Sequence, residues 1–321
     1  MVSSKKINPS LKANNDTGFG VQANQIGGRF VNKDGSFNIR KKGLPLWKTV
    51  SAYSYLQQLS WTAFIAIILL FYIIVNIIYT GLYFLVGKEQ LQGLLATTTW
   101  GSLKEIFFFS TQTFTTVGYG RINPIQGGAD FIASIEALTG WMVFALITGL
   151  LYGRFTQPKA NLAFSENALI SPYRNGTALM VRIVPYKINH HLTDARVTVT
   201  IAYLDGEENK PEYKFYTLNL ERERIDTFSM NWTVVHPIDS ESPLLNFTQE
   251  DLQRADVELY VQVTGFDAIF SNVVMQRTSY TYEEIIWGAK FQPMYQEATA
   301  EETTVLQLDK LNCYDRVELQ S

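Results

Sequence analysis

Between Lys48 and Lys88 the chain carries no charged residue, and from Leu59 to Val86 it is dominated by Ile, Leu, Phe and Tyr. Crossing a bilayer takes about 20 predominantly apolar residues, so this run is long enough to span one. A second run, Phe131 to Gly153, has Glu136 as its only charge. Core helices of soluble proteins seldom stay this apolar for this long, so two membrane spans are predicted. The mean hydropathy of the whole chain, −0.02, conceals them.

Basic residues orient the spans. Lys5, Lys6, Lys12, Arg29, Lys33, Arg40, Lys41, Lys42 and Lys48 precede the first span, while only Lys88, Lys104 and Arg121 lie between the two. Arg154 and Lys159 follow the second. The positive-inside rule puts both termini in the cytoplasm, and a multi-pass protein of the cell inner (plasma) membrane is expected. The first 28 residues are polar, with no signal-peptide pattern. A net charge of −3 speaks against a nucleic-acid partner, and one cysteine, Cys313, leaves no internal disulfide.

The stretch between the spans is the most specific part of the chain. GSLKEIFFFSTQTF (101–114) is apolar but too short to cross, which fits a re-entrant helix shielded by protein. TTVGYG follows directly. Glycines on alternate positions spoil a strand but allow backbone directions that a Cβ resists. Carbonyls of Thr116, Val117, Gly118 and Tyr119, with the Thr116 hydroxyl, can replace the hydration shell of a potassium ion, Gly120 closing the motif. Four copies complete the oxygen cages, so a homotetramer is implied, with potassium as permeant ion and no cofactor. Tyr119 is expected to pack away from the pore against Phe107, Phe108 and Phe109. Glu136 would cost roughly 2.5–3.5 kcal/mol facing lipid, so it is expected to turn inward as a hydrogen-bond partner.

On the cytoplasmic side the texture changes. RFVNKDGSFNIRKKG (29–43) reads as strand, turn and strand. Leu46, Trp47, Val50, Tyr53 and Leu56 recur at helical spacing, which suits a helix lying along the interface, or else an extension of the first span. Beyond Asn161, alternating runs at 178–186, 195–204, 212–220, 228–236 and 255–266 are separated by turn signals such as Asn175-Gly176. They predict an all-β immunoglobulin-like sandwich, interrupted by a short helix capped by Thr248 and Asp251. The domains are then 1–43, an N-terminal segment; 44–58, the interfacial helix; 59–156, a membrane α-helical two-span pore domain; 157–295, the sandwich; and 296–321, a peripheral tail.

RFVNKDG, an interfacial helix with Trp47, two spans around TVGYG, then SENALISPYRNG (165–176), HPIDSESPL (236–244) and RTSYTYEEIIWGAKF (277–291) occur in one order. In this the chain resembles the prokaryotic inward-rectifier potassium channels over about residues 29–293. The resemblance implies a tetrameric channel whose cytoplasmic domains extend the ion path, with phosphoinositide sensitivity. Many eukaryotic members brace the filter with a Glu and an Arg; here Gln112 and Ile122 stand in those places, and Arg121 is one position early. The acidic residue of strong rectifiers falls at Phe144, so block by intracellular magnesium or polyamines is expected to be weak. Asp267 is the alternative acidic position.

Gly140, Phe144, Thr148 and Tyr152 recur every fourth residue and share a face that either lines a cavity or packs against lipid or helices. On the first reading Tyr152 forms the gate, and Gly140 is a hinge or a close-packing point. Lys48, Arg154 and Lys159 lie near the inner face, where each basic residue attracts anionic lipid by about 1 kcal/mol. Snorkelling explains them equally well. HExxH, P-loop and nucleophile-elbow motifs are missing, so no enzyme is predicted. The other reading is a membrane-anchored receptor, which has no use for TVGYG between its spans.

Overall fold

The computed structural model describes residues 29–40, 42–43, 45, 51–188, 190–205, 212–296 and 304–319. Lys48, with Leu46, Trp47 and Val50 of the expected interfacial helix, lies outside the described residues, as do 1–28 and 297–303. The chain divides into Lys42–Gln157 and a unit formed by Met1–Lys41 with Pro158–Ser321.

In the first unit, α1 (Ala52–Gln58) starts at Ser51, whose side chain accepts from Ser54 N. α2 (Trp61–Val86) is capped in the same way by Ser60. After β1 (Leu91–Gln92) comes α3 (Thr99–Phe114), capped by Thr98. β2 (Asn123–Pro124) then pairs with β1, and α4 (Gly127–Phe155) ends the unit. At 1.5 Å per residue, α2 and α4 reach about 39 and 43 Å, beyond the roughly 30 Å hydrocarbon core, whereas α3 reaches only about 24 Å. α3 is held by a buried cluster of Tyr79, Tyr83, Ile106, Phe109, Phe114 and Ala129. Large apolar side chains of α2 and α4, among them Leu69, Ile77, Phe131 and Trp141, are exposed, as in helices that face lipid.

The second unit is a sandwich. β3 (Leu162–Phe164), β4 (Ala168–Tyr173), β5 (Gly176–Pro185), β6 (Leu192–Asp205), β7 (Glu212–Thr217), β8 (Arg224–Phe228) and β9 (Trp232–Pro237) precede α5 (Gln249–Arg254). β10 (Glu258–Asp267), β11 (Asn272–Thr281) and β12 (Ile285–Trp287) follow. One sheet has the order β11-β10-β6-β7 with β8 also on β6; the other has β12-β4-β5-β3 with β9 on β5. Strand alternation sends Leu259, Val261 and Val263 into the core between the sheets. Tyr260 points the other way, into a smaller cluster with Val31, Leu204 and Phe215. The N-terminal segment thus covers the outer face of its own sheet. The buried Glu258 carboxylate accepts from Phe30 N (3.1 Å) and Tyr260 Oη (2.9 Å), and burial pushes its pKa up. Arg29 and Lys33 pair with Glu284.

Two local expectations are corrected. The run 228–236 is broken between β8 and β9 at Ser229–Asn231. The turn signalled by Asn175-Gly176 joins β4 to β5, with Arg174 in the left-handed region (φ 50°). Residues 304–319 are not a loose appendage to the sandwich. β13 (Ala289–Phe291) pairs with β16 (Tyr314–Arg316), and β14 (Tyr295–Gln296) with β15 (Val305–Leu306). Leu311 is buried with Met294 and Val184. Beneath them Arg182 lies 4.4 Å from the Phe291 ring and donates to Lys310 O; burial pushes its pKa down to about 10. The two-residue strands are too short to show a period in the sequence.

Candidate ion-selective pore

The TTVGYG segment begins where α3 ends. Val117 N and Gly118 N both donate to Gln112 O, at 2.9 and 3.3 Å, and Thr116 N to Thr113 O at 3.0 Å. Last-turn carbonyls of the helix are therefore held by the segment's own amides, and the negative end of the helix dipole sits at its base. Left-handed backbone recurs at alternate positions: Thr116 (φ 59°), Gly118 (φ 55°) and Gly120 (φ 78°), but not Val117 or Tyr119. Alternating hand turns successive carbonyls toward one side of the chain. Glycine accepts this conformation freely, whereas a β-branched residue such as Thr116 resists it. Strain of about 1–3 kcal/mol of this kind persists where the surroundings hold it in place and function uses it.

Two contacts supply that support from behind. Glu136 on α4 is fully buried and accepts hydrogen bonds from Ser110 Oγ on α3 and Tyr83 Oη on α2, the latter at 2.6 Å. Ser110 Oγ also meets Asn76 Oδ1 at 3.0 Å, so one carboxylate joins all three membrane helices. Four residues on, Gly140 is buried, and a Cβ built there would lie 1.9 Å from Phe114 O. α4 runs unbroken through Gly140. Close approach accounts for this glycine by itself, since α4 touches the backbone directly below the TTVGYG segment.

Tyr119 departs from expectation. It is 79% exposed in the single chain, because Phe109 packs on Tyr83 (5.2 Å between centroids) while Phe107 and Phe108 pair with each other. Phe144 and Tyr152 are 70% and 71% exposed, and Thr148, bonded to Phe144 O, is exposed with them. Gly140 instead faces into the subunit. Asp267 is buried, meets His190 Nε2 at 3.1 Å and accepts from Ile269 N.

Arg154 is engaged rather than free. Its Nη1 donates to Leu56 O (2.6 Å) and its Nη2 to Leu59 O (2.7 Å), and its guanidinium lies 4.7 and 4.5 Å from the Trp61 and Phe64 rings. With Gln57 Nε2 donating to Leu150 O, it ties the end of α1 to the end of α4. Lys159 is exposed. The sequence predicted a basic residue near the membrane face here, but a guanidinium's carbonyl partners leave no periodic trace.

A two-span helical unit with a re-entrant helix, joined to an all-β unit, defines the class: a membrane ion channel with a cytoplasmic-type sandwich domain. Residues 65–157 match the ion channel family model, and 162–320 match that of the inward rectifier potassium channel C-terminal domain. The inward rectifier potassium channel Kirbac3.1 of Paramagnetospirillum magnetotacticum is 35% identical over 266 residues, 82% of this chain and 88% of that one. ATP-sensitive inward rectifier potassium channel 14 of Mus musculus and of Homo sapiens is 29% identical over 202 residues, 59% of this chain and 45% of theirs. The chain belongs to the inward rectifier potassium channel family. It is a potassium channel of a tetrameric family, not an enzyme, and the anchored-receptor reading falls.

Proposed function

We propose that four copies of this chain form a potassium-selective, inward-rectifier-type channel in the cell inner membrane, with both termini cytoplasmic and Thr116–Gly120 as its filter. The alternation of left-handed backbone at Thr116, Gly118 and Gly120, at the C-terminal end of a re-entrant helix, carries this reading. Potassium ions then bind between rings of carbonyls from Thr116, Val117, Gly118 and Tyr119. The pore domain is 59–156 and the sandwich domain is 157–295. Rubidium uptake by proteoliposomes, with sodium for comparison, tests the filter.

Exposure of Phe144, Thr148 and Tyr152 on one helix supports their lining the path below the filter, with Tyr152 as gate. Lys48, Arg154 and Lys159 make the channel responsive to anionic lipids such as phosphoinositide. Arg154 acts through the carbonyls of α1, which moves with the end of α4. Gly140 serves close packing, and no bend at it is needed for this gate.

Rectification is weak because Phe144 holds the position of the acidic ring, so intracellular magnesium and polyamines block only weakly. In excised patches Phe144→Asp should make spermine block steeply voltage-dependent, with affinity raised at least about tenfold by a ring of four carboxylates. Steep block of the unmutated channel would show that another ring supplies the charge.

A further inference from the structure

We propose that Glu105 and Arg121 form a clasp that positions the outer end of the filter, standing in for a carboxylate–arginine pair behind it. The inference rests on Thr116–Gly120 being the filter. Gln112 and Ile122 occupy the places of such a pair, and Ile122 is buried among apolar side chains. Glu105 lies on α3, and Arg121 follows the last filter glycine. Arg121 Nη1 donates to Glu105 Oε1 at 3.1 Å. The other carboxylate oxygen, Oε2, accepts from Leu95 N at 2.9 Å and Ala96 N at 3.2 Å.

An isolated exposed ion pair does little. This one differs, because the Glu105 side chain is 19% exposed and its carboxylate collects three donors from two separate segments. The same segments meet again nearby. The Arg121 carbonyl sits where a Cβ of Gly93 would be, 1.9 Å from that position, and β1 pairs with β2 just beyond. Asn123 Nδ2 donates to Gly120 O at 2.8 Å. Residues 120–123 are thus gripped one after another, and among the described residues the one charged contact in the grip is Glu105–Arg121. Releasing it leaves residues 120–123 held by the neutral contacts alone, which loosens the loop at the filter's exit. The outer carbonyls then lose part of the fixed spacing on which ion discrimination depends. Glu105 and Arg121 are positioning residues: neither touches the ion.

A double-mutant cycle on the full tetrameric channel in proteoliposomes tests this. Glu105→Gln keeps an oxygen for Leu95 and Ala96 but removes the charge; Arg121→Met keeps length without charge; Arg121→Lys keeps the charge. With tetramers retained on size exclusion, each neutral variant should lower the rubidium-to-sodium uptake ratio about fivefold, and the double variant should be no worse than the worse single one. Arg121→Lys should keep most of the natural ratio. Neutral variants with the natural ratio would overturn the clasp, as would losses that multiply in the double variant. An unmutated channel that does not discriminate would instead overturn the filter reading.

Discussion

Gly140→Ala is expected to abolish most potassium conduction, although the change is one methyl group on a membrane helix. The added Cβ would stand 1.9 Å from Phe114 O. Ordinary contact needs a separation larger by roughly 1.5 Å, so either α4 or the last turn of α3 must move. Neither is a flexible side-chain tip. Phe114 is buried, and its carbonyl belongs to the turn that holds Thr116, Val117 and Gly118 through Thr113 O and Gln112 O. Displacement there is passed to the ion-coordinating carbonyls, whose placement tolerates about 0.5 Å, so rubidium uptake should fall at least about tenfold. Gly81→Ala adds the same methyl to α2 with nothing within 4 Å and should conduct normally. Natural conduction by Gly140→Ala would show that the glycine is not a packing contact.

Tyr152→Ala is the second large change, in the opposite direction. Tyr152 lies eight residues beyond Phe144, a little over two turns, and both side chains are largely exposed in the single chain. In a fourfold assembly four such rings make a narrow apolar neck, which closes by losing its water rather than by a plug. Alanine widens the neck without touching the filter. Basal rubidium uptake should rise about threefold or more, phosphoinositide inhibition should weaken, and the rubidium-to-sodium ratio should stay as it was. Unchanged basal uptake with full lipid inhibition would place the gate elsewhere, at Phe144 for instance; the stretch at Val274 and Met275 is no loop but part of β11, with Val274 in the sandwich core.

The membrane helices were legible because lipid imposes length and apolarity on consecutive residues, as in Trp61–Val86 and Gly127–Phe155. The TTVGYG segment was legible because its backbone needs glycines in fixed order. Strands with a clean period of two, such as β10, were likewise visible, whereas β13 to β16 were too short. What stayed hidden are contacts between elements. That Glu136 would turn inward follows from the cost of a carboxylate in lipid, but its partners Ser110 and Tyr83 are set by how three helices meet. Glu105 and Arg121 are sixteen residues apart, and their pairing depends on the loop at Leu95 and Ala96. Within one chain Tyr119 does not meet the expected aromatic face, because Phe109 is claimed by Tyr83 on α2, a partner no local pattern displays.

Rubidium and sodium uptake into vesicles holding the purified tetramer is the decisive measurement, made with the unmutated chain. Rings of carbonyls from four chains replace the hydration shell of potassium and rubidium but not of sodium, so rubidium should accumulate at least about tenfold over sodium. Equal uptake of the two ions by intact tetramers would contradict the assignment of Thr116–Gly120 as a potassium filter.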